Sequence, residues 1–436
     1  MAAAPRKRAA WAALLLIVLL VGPGTAAGAY NPRVRKELRS LSEQEYKALI
    51  IGLSTMLTIS TEAGRRLFGP KYISYQECIV KHSVATNDPR GDQMEQSLLL
   101  VSPTLKALPY WDITLDNPGT GKYFGTPKTI FSPKYLGQND GDPRVGSGVT
   151  SGVFAWRQVQ RFIPAQWPQY TKVYNGSKLG FTRGPTNINA NPLVTRFPTQ
   201  NLVDALKKAD KPDGTTSLPF GKMPKVAFDM DYLVTQNGQL LLRYPEANYK
   251  RCLDPKTYRT WMEWNFCLDV TVLNTAPDSV DKSRYLGPQA GTTALLHAAP
   301  HWTTGGPTWP PADVDSAPPA ARRAAIGDMF DVSTSPNEPL LFPLHHANLD
   351  RSAMMWQAAA TKLDPSMPSK YWHYPASKAQ YSTANNGTLL NDILCSNAPF
   401  KTIFLSPPAN PLGYTHKEVL YYTRPGASPY IYDSML

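Results

Sequence analysis

The sequence predicts a mainly α protein, a helical core wrapped in long irregular loops with minor β structure. Three observations lead there. Apolar residues recur at helical spacing from Ser42 to Phe68 and again from Phe342 to Lys362. The chain carries 41 prolines among its 436 residues, which favours ordered loops over long uninterrupted bundles. Between Asn117 and about Asp229 the residues are rich in Gly, Pro, Asn and Thr, with few periodic runs.

Each element follows in chain order. Residues 1–29 read as a signal peptide: Arg6, Lys7 and Arg8 form a basic start, Trp11 to Val21 an apolar run, and Ala27-Gly28-Ala29 a cleavage site before Tyr30. Secretion, or delivery to the lumen of the secretory pathway, is the expected outcome. The apolar run is short for a membrane span, an uncleaved signal anchor is the alternative to cleavage, and no later stretch is long and apolar enough to cross a bilayer. Leu41-Ser42-Glu43-Gln44-Glu45 reads as a helix entry with an acidic first turn. Shorter helices are expected over Tyr75–His82 and Gln93–Val101. Helical spacing returns from Leu286 to His301, a Pro-rich loop follows from Gly305 to Pro319, and the tail from Pro365 reads as loop and short strand. No internal repeat is present. The expected organisation is one domain over 30–436, divided into 70–115, a loop-rich middle 116–285, 286–360, and a tail 361–436.

Composition excludes several function classes. An aromatic content of 11% argues against disorder. The formal net charge is +12, and a leader bearing three cations and no acid leaves the mature chain near +9. No Lys/Arg block with interleaved aromatics occurs, so nucleic-acid binding is not expected. An exported chain permits disulfides among its four cysteines. Cys252 with Cys267 and Cys78 with Cys395 is one pairing; free buried thiols are equally compatible with the sequence. Asn175-Gly176-Ser177 and Asn386-Gly387-Thr388 are candidate glycosylation sites.

The chemistry lies in the histidines. His297 and His301 stand four apart, which on a helix puts both rings on one face. Pro300 between them is tolerable only if the helix begins or kinks there. His345-His346-Ala347-Asn348-Leu349-Asp350-Arg351 opens the late helix. Adjacent histidines point apart on a helix, so one can bind metal while its neighbour packs or hydrogen-bonds. Asp350, one turn beyond His346, is placed to orient an imidazole. Three neutral imidazoles suit copper, zinc or iron.

Together these motifs resemble the tyrosinase and catechol oxidase family of type 3 copper proteins. Gly327-Asp328-Met329-Phe330-Asp331-Val332, Ser335-Pro336-Asn337-Glu338-Pro339 and the paired histidines are similar to the family's second copper motif. Leu108-Pro109-Tyr110-Trp111-Asp112 matches the signature that follows its first copper motif. The resemblance spans roughly Arg35 to Gln357. It implies a four-helix-bundle core holding two coppers, each on three histidines, that oxidises phenols and o-diphenols to o-quinones with dioxygen. It implies His297, His301 and His346 as ligands of one copper, with His345 as supporting neighbour. His82, in Cys78-Ile79-Val80-Lys81-His82, fits the first ligand of the other. Ala298 stands where many tyrosinases carry an Asn that assists monophenols, which leans the expectation toward diphenols.

The first copper motif departs from the family pattern. Its second and third ligands, one of them in a Trp-His-Arg segment, are absent, and the junction at Gln93 and Met94 reads as a deletion of about four to five helical turns. A missing exon, a splice variant and a degenerate member binding one copper or none are the three readings, and the clean edges of the junction favour the first two, since slow loss by substitution leaves a segment of normal length. Of the seven histidines, His373 and His416 lie far downstream of both motifs and read as surface or loop residues. The alternative function is a non-catalytic or single-copper binding protein on the same fold.

Overall fold

The computed structural model describes residues 31–85, 91–117, 121–160, 191–197, 215–218, 221–224, 233–236, 239–242, 246–259, 264, 267, 296–305, 327–329, 334–364, 424–426 and 428–435. Within them the protein is mostly helical with short strands, as the sequence predicts. The leader, both candidate glycosylation sites, Cys395, His373 and His416 lie outside the described residues, as does most of the Pro-rich loop.

Helix α1 (Glu43–Thr58) opens at the predicted entry. The Ser42 hydroxyl accepts the Glu45 N–H at 3.2 Å, and the Glu45 carboxylate accepts the Ser42 N–H at 2.8 Å. Tyr46, Leu49, Leu53 and Met56 form its buried stripe. The periodic stretch to Phe68 is not one helix. Ser60 caps a second, α2 (Thr61–Phe68), through the Ala63 N–H at 3.2 Å. Ser60 is therefore the local signal that divides the run.

Helices α3 (Tyr75–Ala85) and α4 (Gly91–Val101) match the two short helices expected, each a few residues longer. Helix α1 packs on both, and α4 packs in turn on the long late helix. The α1–α4 approach is close at Gly52, where a Cβ would stand 2.6 Å from the Leu98 side chain. After α4 the short helix α5 (Glu246–Cys252) is joined to residue 267 by the Cys252–Cys267 disulfide. Helix α6 (Ala298–Gly305) and helix α7 (Leu341–Leu363) carry the histidine motifs.

The strands are short. Strand β1 (Arg33–Arg35) pairs in parallel with β6 (Tyr430–Tyr432), which joins the two ends of the described chain. Two hairpins, β2 (Thr215–Leu218) with β3 (Gly221–Pro224) and β4 (Leu233–Gln236) with β5 (Gln239–Leu242), lie where irregular chain was expected. The sequence carries a signal for the second: Asn237-Gly238, between two apolar runs, is a strong hairpin dipeptide.

One buried cation ties these parts together. Arg35 is 3% exposed. It donates to Asp350 at 2.9 Å and Tyr432 at 3.0 Å, pairs with Glu95 of α4, and lies 3.4 Å over the Tyr430 ring. Glu95 also accepts the Leu108 N–H at 3.0 Å. Removing the guanidinium would leave the Glu95 carboxylate buried without its main counter-charge. Arg35→Ala is therefore expected to lower stability by about 3–5 kcal/mol, measured by urea unfolding of the full chain.

Candidate metal centre

Both histidine-bearing helices begin with the same device. Pro300 is the third residue of α6, and Pro343 is the third residue of α7. The first turn of a helix has N–H groups with no partner inside the helix, so proline loses nothing there. The predicted difficulty at Pro300 is thus resolved by the helix starting at Ala298. His297 stands just before α6, His301 one turn into it, and His345 and His346 lie early in α7.

These two helix beginnings meet. The His297 and His301 ring centroids are 4.9 Å apart. His301 lies 5.2 Å from His345 and 5.6 Å from His346. His297 stacks parallel to His345 at 5.9 Å and meets His346 edge-on at 5.4 Å. One donor nitrogen from each of His297, His301 and His345 falls within 4.8 Å of the others. By proximity alone, His345 rather than His346 completes a metal-sized triad, while His346 borders the same cluster.

The hydrogen bonds separate the rings further. His301 Nδ1–H donates to the Met329 carbonyl at 2.7 Å, which leaves Nε2 as the bare nitrogen, buried and without a protein partner. His345 Nε2–H donates to the His297 carbonyl at 3.0 Å, and its Nδ1 is buried without a partner. His346 Nε2 is also buried without a partner. Buried polar atoms are nearly always satisfied, so three orphaned nitrogens in one cluster need an explanation. A metal ion with imidazole ligands supplies one, and neutral imidazole lone pairs suit copper. The residues fit the group at this site.

Electrostatics agree. Burial pushes the imidazolium forms of His301 and His346 well below the usual histidine range, and the neighbouring histidines push further the same way. Burial and the nearby His297 push His345 down to about 3. The rings are held neutral, as metal ligation requires.

His82 reaches this cluster from α3. Its ring stands edge-on to Phe342 at 4.9 Å, and Phe342 lies 4.2 Å from His346. Phe342 thus sits between the histidine of the first motif and those of the second. Among the described residues no further histidine joins His82 on its side of the cluster. Asp350 does not face an imidazole: its carboxylate accepts from Arg35 at 2.9 Å and from the Tyr432 hydroxyl at 2.6 Å. The face of α7 one turn beyond His346 is turned to β1 and β6, so Asp350 anchors those strands.

The Pro-Tyr-Trp-Asp segment supports α7 from the other side. The Trp111 N–H donates to the Leu344 carbonyl at 3.1 Å, and its indole lies 6.4 Å from the His345 ring. Asp112 accepts from Arg351 at 3.1 Å. The signature therefore positions the paired histidines. Sequence reasoning missed this pairing, along with Met329 as the acceptor for His301. Both groups stood in motifs already singled out; the missing information was which elements the fold brings together.

A family model described as the common central domain of tyrosinase matches residues 93–359. That range holds the Pro-Tyr-Trp-Asp signature and His297, His301, His345 and His346, and begins after His82. Among solved structures, the chain is similar to a mutant polyphenol oxidase from Thermothelomyces thermophila. The identity is 16% over 93% of this chain and 90% of that chain, with a TM-score of 0.46. It is also similar to a tyrosinase from Burkholderia thailandensis at high pH, 14% identical over 93% of this chain and 74% of that one, with a TM-score of 0.36. No curated protein matches the chain.

A pH dependence follows from the neutral rings. The unfolded chain protonates its histidines below about pH 6.5, whereas the folded rings resist protonation. The unfolded state then binds more protons, so stability falls as pH drops. For metal-free protein each buried histidine should remove about 1.4 kcal/mol per pH unit below about pH 6.5, and nothing above it. Urea unfolding at stepped pH measures the slope, which should shrink in His346→Ala.

Proposed function

The chain belongs to the tyrosinase family, and we propose that it binds copper through His297, His301 and His346 and oxidises o-diphenols to o-quinones with dioxygen. It is a tyrosinase-type oxidoreductase by family. The observation that carries the site reading is the cluster of buried imidazole nitrogens without protein partners, His301 Nε2 and His346 Nε2 among them. His346 is preferred over His345 as third ligand because the family motif places the ligand at the second of the pair. The His345 Nε2–H is engaged with the His297 carbonyl, a bond that ties α7 to the start of α6.

The roles of the protein groups follow. His301 keeps its proton on Nδ1 and offers Nε2. His345 holds the backbone of His297. Burial keeps the rings neutral at working pH and limits water at the cluster. Phe342 separates His82 from His346. Copper bound there would supply redox chemistry, one electron per Cu(I). A catechol loses two electrons and two protons on becoming an o-quinone, so two catechols match the reduction of one dioxygen to two waters. Ala298, directly after His297, supports diphenols over monophenols. The Cys252–Cys267 disulfide supports an exported protein. Among the described residues no helix is long and apolar enough to cross a membrane.

A second reading has its own support. His82 is the single candidate for the other copper that the described residues bring to the cluster, and the family match begins after it. A chain with one copper would be a binding protein on the oxidase fold.

Copper content and oxygen uptake with catechol, measured on the copper-loaded full chain, separate the two. The oxidase reading expects one dioxygen consumed per two quinones, abolished in His301→Ala, and little turnover of a monophenol. One copper per chain with catechol bound but not oxidised selects the second reading, and no copper contradicts both. His346→Ala should lose copper more completely than His345→Ala; the reverse order would make His345 the ligand.

A further inference from the structure

We propose that Asp328 and Thr195 are positioning residues that fix the tautomer and direction of His301. The inference rests on the reading of His301 as a metal ligand and adds what holds that ligand in place.

The hydrogen bond from His301 Nδ1–H to the Met329 carbonyl decides which ring nitrogen is bare. That carbonyl must therefore be held still. Met329 and Asp328 are both fully buried, and Asp328 is bonded on two sides. Its N–H donates to the Thr195 carbonyl at 3.1 Å. Its carboxylate accepts the Thr195 N–H at 2.7 Å and the Thr195 hydroxyl at 3.2 Å. Its own carbonyl accepts from the Thr334 hydroxyl at 3.3 Å. A carboxylate that accepts from a backbone N–H makes a charge-assisted bond, stronger than a neutral one.

The preceding residue adds a second contact with the same helix. A Cβ on Gly327 would stand 1.9 Å from the Gly305 carbonyl oxygen, so only glycine fits against the last turn of α6. Gly305 also accepts the Phe197 N–H at 3.3 Å. Gly327-Asp328-Met329 therefore touches α6 at His301 and at Gly305, one turn apart on one face. Two contacts on one face fix the helix's rotation as well as its distance.

The neighbour of Thr195 performs the matching task for the other helix. Arg196 is 1% exposed. It forms a two-pronged pair with Glu338 at 2.6 and 2.7 Å, just before α7 begins. Consecutive residues of one bridged segment thus hold the approaches to both histidine-bearing helices. Thr195 acts through Asp328 on His301, and Arg196 acts through Glu338 on the head of α7. Groups that bond a metal ligand directly change affinity by about 10–100-fold when removed, and Asp328 and Thr195 stand one step further out, behind the Met329 carbonyl, where a smaller effect is expected.

The test begins with metal-free wild-type protein labelled with 15N at histidine. Long-range proton–nitrogen spectra distinguish the two tautomers, and His301 is expected with its proton on Nδ1. A proton on Nε2 would overturn the proposal without any variant being made. Asp328→Asn should then weaken copper affinity by up to about 10-fold, the low end of the range for a direct partner, in chelator competition and mix the His301 tautomers. Thr195→Ser, which keeps both donors, should retain wild-type affinity and a single tautomer. Wild-type affinity and tautomer in Asp328→Asn would refute the positioning role. His301→Ala separates the two layers. If it binds copper as wild type does, the ligand reading fails. If it loses copper while Asp328→Asn keeps it, the positioning inference alone fails.

Discussion

Four imidazole rings share one buried cluster, and three of them present a nitrogen there that no protein group satisfies. That is costly for a folded chain. A buried polar atom without a partner loses its hydration and gains nothing in return. Protonating His301, His345 or His346 would not relieve the cost, since burial and the neighbouring rings hold these three neutral. The rest of the described fold must keep this arrangement from collapsing into one in which the nitrogens find partners. A metal bound by His301 and His346 would remove two of these three costs, which would couple metal binding to folding.

The supports around the cluster share a pattern. Charged or backbone groups from distant parts of the chain converge just outside the ring of histidines. Trp111 and Asp112 grip α7 from one side through Leu344 and Arg351. Arg35, Glu95, Asp350 and Tyr432 fasten its outer face to α4 and to both chain ends. Arg196 and Glu338 fix its start. Paired buried charges of this kind contribute modest net stability, but breaking one partner away is severe. They suit a structure whose need is fixed geometry.

Much of this was legible in the sequence. Helix α1 announced itself through its acidic first turn and helical apolar spacing, and α7 through its periodicity. Pro300 required a helix that begins or kinks nearby, and α6 runs Ala298–Gly305, meeting only the end of the Leu286–His301 stretch read as helical, whose residues 286–295 lie outside the described residues. The family was readable because its motifs are short and local. What stayed hidden is non-local. Nothing near Thr195 or Arg196 says that they reach residues 133 and 142 positions away. Asp350 misled for a related reason: its place one turn beyond His346 suggested an imidazole partner, but only the fold reveals that this face of α7 meets β1 and β6. The break at Ser60 and the hairpin signal at Asn237-Gly238 were local and were overshadowed by the broader pattern of the surrounding sequence.

We propose that a copper ion occupies the cluster where α6 and α7 meet. Anomalous X-ray diffraction on crystals of the copper-loaded chain, collected on either side of the copper absorption edge, tests it most directly. The proposed site requires a copper peak bonded to nitrogens of His297, His301 and His346. A peak elsewhere, or loaded protein with no peak among these rings, would contradict it.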